Sequence, residues 1–285
     1  MSDALIAVLP YGQSLGAHLT DLSLDALFWP LGRPDRAVGC VGDLGRQDHL
    51  LVFPKTSMHT KFRWGTRAQV SVMVVEPRAI SARHLNMLRL SHRRFHRVFT
   101  HDSDTIARLP NARFLPAAST WVSEYADLDI QKTANVSLIA SARADQDGHR
   151  LRHAIVDDVR AKGLDVDVMG RAYRPFDKKS EGLAPYRYSV VIENIRNNGY
   201  FTEKLIDALL CETIPIYWGA PDIADHFDAA GMIICETHDQ IMHAVNAASA
   251  DQYAAMKPAL MRAKNQAIKV RDYQVLAAQI IQSGA

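Results

Sequence analysis

The sequence predicts an α/β protein with two doubly wound parallel sheets, and three observations support this fold class. Short apolar runs alternate with amphipathic stretches along the 285 residues, which is the pattern of strands joined by helices. The run at residues 69–75 is almost continuously apolar, as a parallel strand covered on both faces should be. The length suits two domains, and a hydrophobic content of 48% can fill two cores.

Composition argues against several classes of protein. The formal net charge is +2, so bulk electrostatics does not indicate a nucleic acid partner. The cysteines Cys40, Cys211 and Cys235 are far apart and none lies beside a histidine, which predicts structural thiols in a cytoplasmic protein. The N-terminus lacks the basic start of a signal peptide, and no apolar run is long enough to span a bilayer. We therefore expect neither a targeting signal nor a transmembrane helix.

The first half of the chain contains a carboxylate at the end of a strand. Glu76 directly follows the strand at residues 69–75 and precedes Pro77. Side chains beyond the carboxyl ends of parallel strands often form sites, and a carboxylate there can take the proton of an attacking hydroxyl. Glu76 is therefore our candidate general base. The alternative is a surface carboxylate that caps the next helix.

Residues 80–97 predict an amphipathic helix with Leu85 and Leu88 on its apolar face. Its other face carries the bases Arg83, Arg89, Arg93, Arg94 and Arg97, together with His84 and His96. Such a charge run is usually a solvated face, and the alternative is a surface for an anionic acceptor or an anionic lipid. No nucleic-acid-binding motif accompanies it, and the histidines lack metal-ligand spacing. We predict neither a nucleic acid partner nor a metal site.

The domain boundaries follow from a polar stretch in the middle of the chain. Residues 124–133 are polar and lie between apolar runs, so we predict an interdomain linker there. The predicted domains are residues 1–126 and 134–268. Residues 269–285 form a final helix that we expect to pack back on the first domain.

The most informative stretch is residues 188–223, YSVVIENIRNNGYFTEKLIDALLCETIPIYWGAPDI. Its first five residues form an apolar strand that stops at Glu193 and Asn194. After a turn, Thr202 can cap a helix that begins with Glu203 and Lys204. The order predicts strand, loop, helix and strand.

The predicted helix start favours an anion. Free N–H groups and a partial positive charge point beyond the strand ends, and Lys204 adds a full charge. A diphosphate leaving group needs such fixed charge, and Arg150 or Arg152, from the helix after the strand at residues 135–140, can supply more. The alternative for Glu203 and Lys204 is ordinary surface charge on the first turn of a helix.

This stretch resembles the signature of glycosyltransferase family 10, the α-1,3-fucosyltransferases. In that family a Glu-Asn pair ends a strand, Tyr-x-Thr-Glu-Lys follows, and a Pro-x-Tyr-Trp-Gly strand closes the unit. Residues 135–170 resemble the family more weakly. The resemblance implies a GT-B fold, in which two Rossmann-like domains with parallel sheets face each other across a cleft. It also implies that the second domain holds GDP-fucose and that no metal ion or other cofactor is needed.

The resemblance also implies residue roles. Asn194 and Tyr200 match donor-contacting positions, Glu203 matches the carboxylate that holds the fucose hydroxyls, and Lys204 matches the phosphate lysine. Glu193 contacts the donor or orients the loop.

Further roles carry alternatives. Arg150 matches the arginine that grips the donor diphosphate, with Arg152 as the alternative, and Glu76 matches the base. The chain departs from the family pattern at Ile192 and at residues 195–197, so another sugar remains an alternative to fucose.

We therefore predict an inverting, metal-independent, bacterial-type glycosyltransferase that moves fucose from GDP-fucose to a glycan hydroxyl. Its expected partners are the nucleotide-sugar donor and a glycan acceptor, with an anionic or lipid-linked acceptor as one alternative. The expected location is cytoplasmic, with peripheral contact to the inner face of the membrane through the basic helix at residues 80–97. The rival functions are a transferase that uses another nucleotide sugar and a non-catalytic binder of glycans or membrane surfaces.

Overall fold

The computed structural model describes residues 4–284 and contains two five-stranded parallel sheets. The first sheet has the order β1-β2-β3-β4-β5, with β1 at Ile6–Val8, β2 at His49–Val52, β3 at Gln69–Val74, β4 at Val98–Thr100 and β5 at Ala112–Phe114. The second has the order β10-β9-β8-β6-β7, with β6 at Ala134–Ile139, β7 at Val166–Met169, β8 at Tyr186–Ile192, β9 at Ile214–Trp218 and β10 at Ile233–Ile234. The predicted α/β class with two parallel sheets is confirmed.

Helices connect and cover these strands. In chain order they are α1 (Ser57–Thr60), α2 (Arg78–Ser91), α3 (Ser103–Arg108), α4 (Asp147–Ala161), α5 (Glu203–Leu210), α6 (His238–Ala247), α7 (Ala250–Val270) and α8 (Tyr273–Ser283). The chain forms two compact units. The first runs up to Pro116 and resumes at Tyr273, and the second is Ala117–Asp272.

In the first unit, one face of the sheet packs against α2. Side chains alternate between the two faces of a strand, so Leu50, Val72 and Val98 share one face and cluster with Leu85 and Leu88 of α2. All five side chains are buried. The apolar face that the sequence predicts for this helix therefore forms part of the core.

The other face of the first sheet packs against the last helix. Met73 and Phe99 point to this face and cluster with Ala277, Ala278 and Ile281 of α8. Small residues at positions 277 and 278 let the helix approach the sheet closely. The first unit is therefore built from two segments that are distant in sequence.

The basic helix is shorter than the sequence predicts. α2 ends at Ser91, residues 92–94 form a 3-10 turn, and β4 begins at Val98. Beyond this end, the side-chain amide of Asn111 donates to the carbonyl oxygens of His92 and Phe95 at 3.0 and 2.9 Å and satisfies them outside a helix. The prediction of a helix to residue 97 is wrong.

Residues 124–133, which the sequence predicts to be a linker, pack on the second unit. Lys132 Nζ donates to Ala184 O, Cys211 O and Thr213 Oγ1 at 2.8–3.0 Å. Burial lowers the pKa of Lys132 to about 7. A polar segment can be anchored in this way because a lysine stem buries easily once its amine has acceptors.

Candidate functional site

The second sheet reverses its strand order at β6. This strand has β7 on one side and β8 on the other, whereas the first sheet runs in sequence from β1 to β5. Ligands of open parallel sheets bind beyond the carboxyl ends of the strands at such a reversal. Glu193 and Asn194 follow the end of β8 at this position.

The first turn of α4 lies directly against the end of β8. The backbone N–H of Gly148 donates to Asn194 O at 3.0 Å. A Cβ atom at position 148 would lie 1.7 Å from Glu193 O, so only glycine permits this approach. The start of α4 and the end of β8 therefore form one side of the candidate site.

Glu193 connects the end of β8 to the start of α5. Its carboxylate is fully buried and accepts hydrogen bonds from Thr202 N and Thr202 Oγ1, each at 2.8 Å. Lys204 Nζ lies 3.5 Å from the same group. These contacts close the loop at residues 194–201 and support the alternative that Glu193 orients this loop.

Arg152 of α4 contacts the residues that follow β8. It is buried, and its Nη2 donates to Asn194 Oδ1 at 2.9 Å. Burial lowers the pKa of Arg152, while the charges of Glu193 and Glu203 oppose that shift. Within residues 4–284, Arg152 Nε is buried and has no hydrogen-bond partner. A buried donor without a partner is costly, and an anionic ligand would satisfy it.

Arg150 does not join this group. Its side chain is exposed, pairs with Asp147, and donates to Asp145 O at 3.2 Å. These contacts hold it at the start of its own helix. Of the two arginines that the sequence offers, the structure brings Arg152 to Asn194 and leaves Arg150 in solvent.

The first turn of α5 carries an acid and a base in contact. Lys204 Nζ lies 3.2 Å from Glu203 Oε1 and donates to Thr202 Oγ1 at 3.0 Å. Burial alone would raise the pKa of Glu203, but Lys204 and Lys179 outweigh it and hold the pKa below its ordinary value. Glu203 is therefore ionised at neutral pH and can accept hydrogen bonds from hydroxyl groups.

Lys179 and Asp207 form a buried ion pair that the sequence analysis did not find. Lys179 Nζ lies 2.8 Å from Asp207 Oδ2 and donates to Glu203 O at 3.3 Å. Asp207 also accepts from Thr120 Oγ1 at 2.6 Å and from Trp121 N at 3.1 Å. Burial raises the pKa of Asp207, and the charge of Lys179 opposes that shift. The pair anchors the beginning of α5 within the second unit.

The remaining predicted residues differ in placement. Tyr200 is buried at the end of the loop that Glu193 closes. Glu76 lies in the first unit, two residues after β3, and is exposed. Pro77 is the N-cap of α2, and no side chain caps that helix. The alternative role of Glu76 as a helix cap therefore has no contact to support it.

The described part of the chain has neither a metal-binding cluster nor a membrane-spanning helix. Residues 4–284 contain no group of three or more His, Cys, Asp or Glu side chains placed to hold a metal ion. Their helices include none with the length and apolar character of a membrane span.

Comparison with known proteins shows what the second unit resembles. Residues 130–245 match the family model "Glycosyltransferase family 10 (fucosyltransferase) C-term". The α-(1,3)-fucosyltransferase FucT of Helicobacter pylori is 43% identical over 61 residues, which are 21% of this chain and 12% of that protein. A putative fucosyltransferase of Acanthamoeba polyphaga mimivirus is 44% identical over 48 residues, 17% of this chain and 8% of that protein. The matched stretches thus span only a small part of these relatives, and the resemblance seen in the sequence is confirmed.

Solved structures share the fold of most of the chain. An α1,3-fucosyltransferase crystallised with GDP superposes with a TM-score of 0.51 at 19% identity, covering 82% of this chain and 77% of that one. TarM superposes with a TM-score of 0.53 at 11% identity, covering 84% of this chain and 55% of that one. The predicted fold class, GT-B with two Rossmann-like units, is confirmed.

Proposed function

Because residues 130–245 match the C-terminal domain of glycosyltransferase family 10, we propose that this chain is a glycosyltransferase that moves fucose from GDP-fucose to a hydroxyl of a glycan acceptor. The observation that carries the proposal is the buried guanidinium of Arg152. It lies beside Asn194, and its Nε has no partner in the part of the chain that the structure describes. The fold of an α1,3-fucosyltransferase crystallised with GDP supports the choice of donor.

Positive charge at this site suits a diphosphate leaving group. As the bond between the sugar and the diphosphate breaks, its electron pair moves to a phosphate oxygen, where negative charge grows. Arg152, Lys204 and the free N–H groups at the start of α5 would stabilise that charge. In this proposal side chains supply the positive charge and no metal ion takes part.

The carboxylates divide into three roles in this proposal. Glu203 is ionised and partly accessible, so it would accept hydrogen bonds from the sugar hydroxyls. Glu193 would hold the loop through Thr202, without touching the donor.

The third carboxylate, Glu76, would act on the acceptor. It would take the proton of the acceptor hydroxyl as that oxygen bonds to the anomeric carbon. Attack opposite the leaving group would invert the configuration of the sugar.

The cysteines support a cytoplasmic location for this enzyme. Cys40, Cys211 and Cys235 are all free, and burial raises the pKa of Cys211 to about 12 and that of Cys235 to about 11. Buried, unreactive thiols suit a reducing compartment.

A panel of donors tests the proposal. The protein is heated with GDP-fucose, GDP-mannose, UDP-sugars and CMP-sugars in the presence of EDTA, and Tm is measured for each. A donor at a hundredfold excess over its Kd stabilises the folded state by about 2.7 kcal/mol, so the true donor should stand out. We expect GDP and GDP-fucose to raise Tm. Stabilisation by a UDP- or CMP-sugar alone would assign a different donor.

Turnover separates an enzyme from a binder. With GDP-fucose and a glycan array, the wild type should form an inverted linkage without added metal. Glu76→Gln should bind GDP as the wild type does and lose about 10²- to 10⁴-fold in turnover, because only the proton acceptor is removed. Donor binding without hydrolysis or transfer by the wild type would indicate a non-catalytic binder.

A further inference from the structure

The positive charge of this chain is concentrated in one part of the first unit. Residues 49–101 contain ten Lys and Arg residues and a single acidic residue, Glu76. The whole chain has a formal net charge of only +2, so the rest of it is acidic. A surface formed by residues 49–101 therefore has a strong preference for anionic partners.

The same part of the first unit exposes large apolar side chains. Among the described residues, Phe62 and Leu90 are the most exposed large hydrophobic residues, at 99% and 93%, and Ile80 is 58% exposed. Single exposed apolar residues are common on protein surfaces and need no explanation. Phe62 and Leu90, however, are almost fully exposed and lie in the same basic segment. A face that contacts only water does not explain this pair of apolar side chains.

Helical spacing brings the exposed apolar residues of α2 to one side of the helix. Ile80, Arg83, Met87 and Leu90 follow each other at spacings of three and four residues, so they share a helix face. We call these four residues, together with Phe62, the basic apolar patch.

The loop that carries Phe62 is held against α2. His59 Nδ1 lies 2.8 Å from Ser91 Oγ, and His59 Nε2 lies 3.2 Å from His84 Nδ1. Arg94 donates to His59 O at 2.8 Å and also to Lys61 O. These contacts place Phe62, one residue after Lys61, beside the end of α2 that carries Leu90. Arg94 is occupied within the protein, whereas Arg83, Arg89 and Arg93 are exposed.

We propose that the basic apolar patch binds the surface of an anionic lipid bilayer, with Phe62 and Leu90 inserted at the level of the headgroups. Exposed apolar side chains in a segment rich in exposed arginines match an interface with apolar chains below and phosphates above. A second copy of the chain is disfavoured, because two basic surfaces repel each other. Nucleic acid would satisfy the arginines but offers little to Leu90 and Ile80.

The inference goes beyond the proposed transferase activity, because none of these residues belongs to the donor site. Its test needs no turnover. The purified chain is sedimented with vesicles of phosphatidylcholine, and with vesicles of equal parts phosphatidylcholine and phosphatidylglycerol. We expect binding to the anionic vesicles only, weakened as salt is raised.

Variants separate the apolar and the electrostatic contributions to vesicle binding. Phe62→Ser combined with Leu90→Ser should weaken vesicle binding at least about tenfold, because two apolar side chains no longer enter the bilayer. Arg83→Ser, on the same helix face, should weaken it about fivefold, the factor that corresponds to about 1 kcal/mol per base. The matched control is Val38→Ser, which removes an apolar side chain that is 72% exposed in the same unit and outside the basic segment. It should leave binding unchanged.

Three results would overturn the proposal. One is equal binding to neutral and anionic vesicles, or none to either. Another is vesicle binding that survives the double Phe62 and Leu90 substitution. The third is binding of a short DNA duplex, with no vesicle binding, that Arg83→Ser weakens. All substituted side chains are exposed, so unchanged thermal unfolding will show that each variant is folded.

Discussion

The assignment of Arg152 to the donor diphosphate can be tested by comparing two arginines one helical half-turn apart. Arg152 is buried with Nη2 on Asn194 and Nε without a partner in the described chain, while Arg150 is exposed and paired with Asp147. A hydrogen bond to a charged group contributes about 1.5–3 kcal/mol, so Arg152→Ala should raise the Kd for GDP about ten- to a hundredfold. Arg150→Ala removes a solvent-exposed pair and should change Kd less than about twofold.

Calorimetric titration with GDP measures both variants directly. Arg152→Lys adds a third comparison, because it keeps the charge but loses the planar fork, and we expect an intermediate Kd. Thermal unfolding of the free variants shows whether the loss of affinity comes from loss of structure. A tenfold weakening in Arg150→Ala with wild-type affinity in Arg152→Ala would refute the reasoning and restore Arg150 to the role that the resemblance implies.

Three further predictions concern stability. In a urea titration, Gly148→Ala should lower the free energy of unfolding by at least about 2 kcal/mol, because its Cβ would lie 1.7 Å from Glu193 O. The control Gly12→Ala places its Cβ with no atom within 4 Å, so it should leave the free energy of unfolding unchanged. Thr202→Val should lower the free energy of unfolding by about 1–2 kcal/mol, since it removes the cap of α5 and a donor to a buried carboxylate; an unchanged urea midpoint would contradict this. Burial lowers the pKa of His101 from 6.5 to about 4. Between these two pH values only the unfolded chain protonates His101, so the free energy of unfolding falls as pH drops. The fall should be about 2 kcal/mol between about pH 7 and pH 5, and His101→Gln should lose that part of the slope if the assignment holds.

The candidate site could be predicted from the sequence where its residues are close neighbours along the chain. Glu193, Asn194, Thr202 and Lys204 lie within one strand, loop and helix, and a strand end followed by a capped helix start leaves few other arrangements. The structure places Glu193, Thr202 and Lys204 in mutual contact, and Asn194 contacts Arg152 of α4.

The sequence itself distinguishes Arg150 from Arg152 by their positions on the predicted helix. Arg152 lies three and four residues before Ile155 and Val156, so it falls on the apolar face of α4, and all three are buried. Arg150 falls on the opposite face. Helical periodicity alone therefore indicates which arginine points into the unit.

The sequence indicates only one member of the ion pair between Lys179 and Asp207. Asp207 lies among Leu205, Ile206, Ala208 and Leu209, and a carboxylate in so apolar a helix must have a buried partner. That partner is in a 3-10 turn at Lys179–Gly182, and no local pattern connects the two residues. Likewise, the polarity of residues 124–133 predicts a linker. Only the structure shows that Lys132 finds acceptors in the second unit and holds this segment against it.

By itself the sequence determined the α/β class, the two parallel sheets and the family resemblance, because hydrophobic periodicity and the residues of one strand-loop-helix unit are local properties of the chain. Only the tertiary structure decided that Arg152 contacts Asn194, that Lys179 pairs with Asp207, and that Arg94 binds the backbone of Lys61. These contacts join segments far apart in sequence. Which of them form depends on how whole elements pack, since a buried charge or polar group must find its partner wherever the fold brings one within reach.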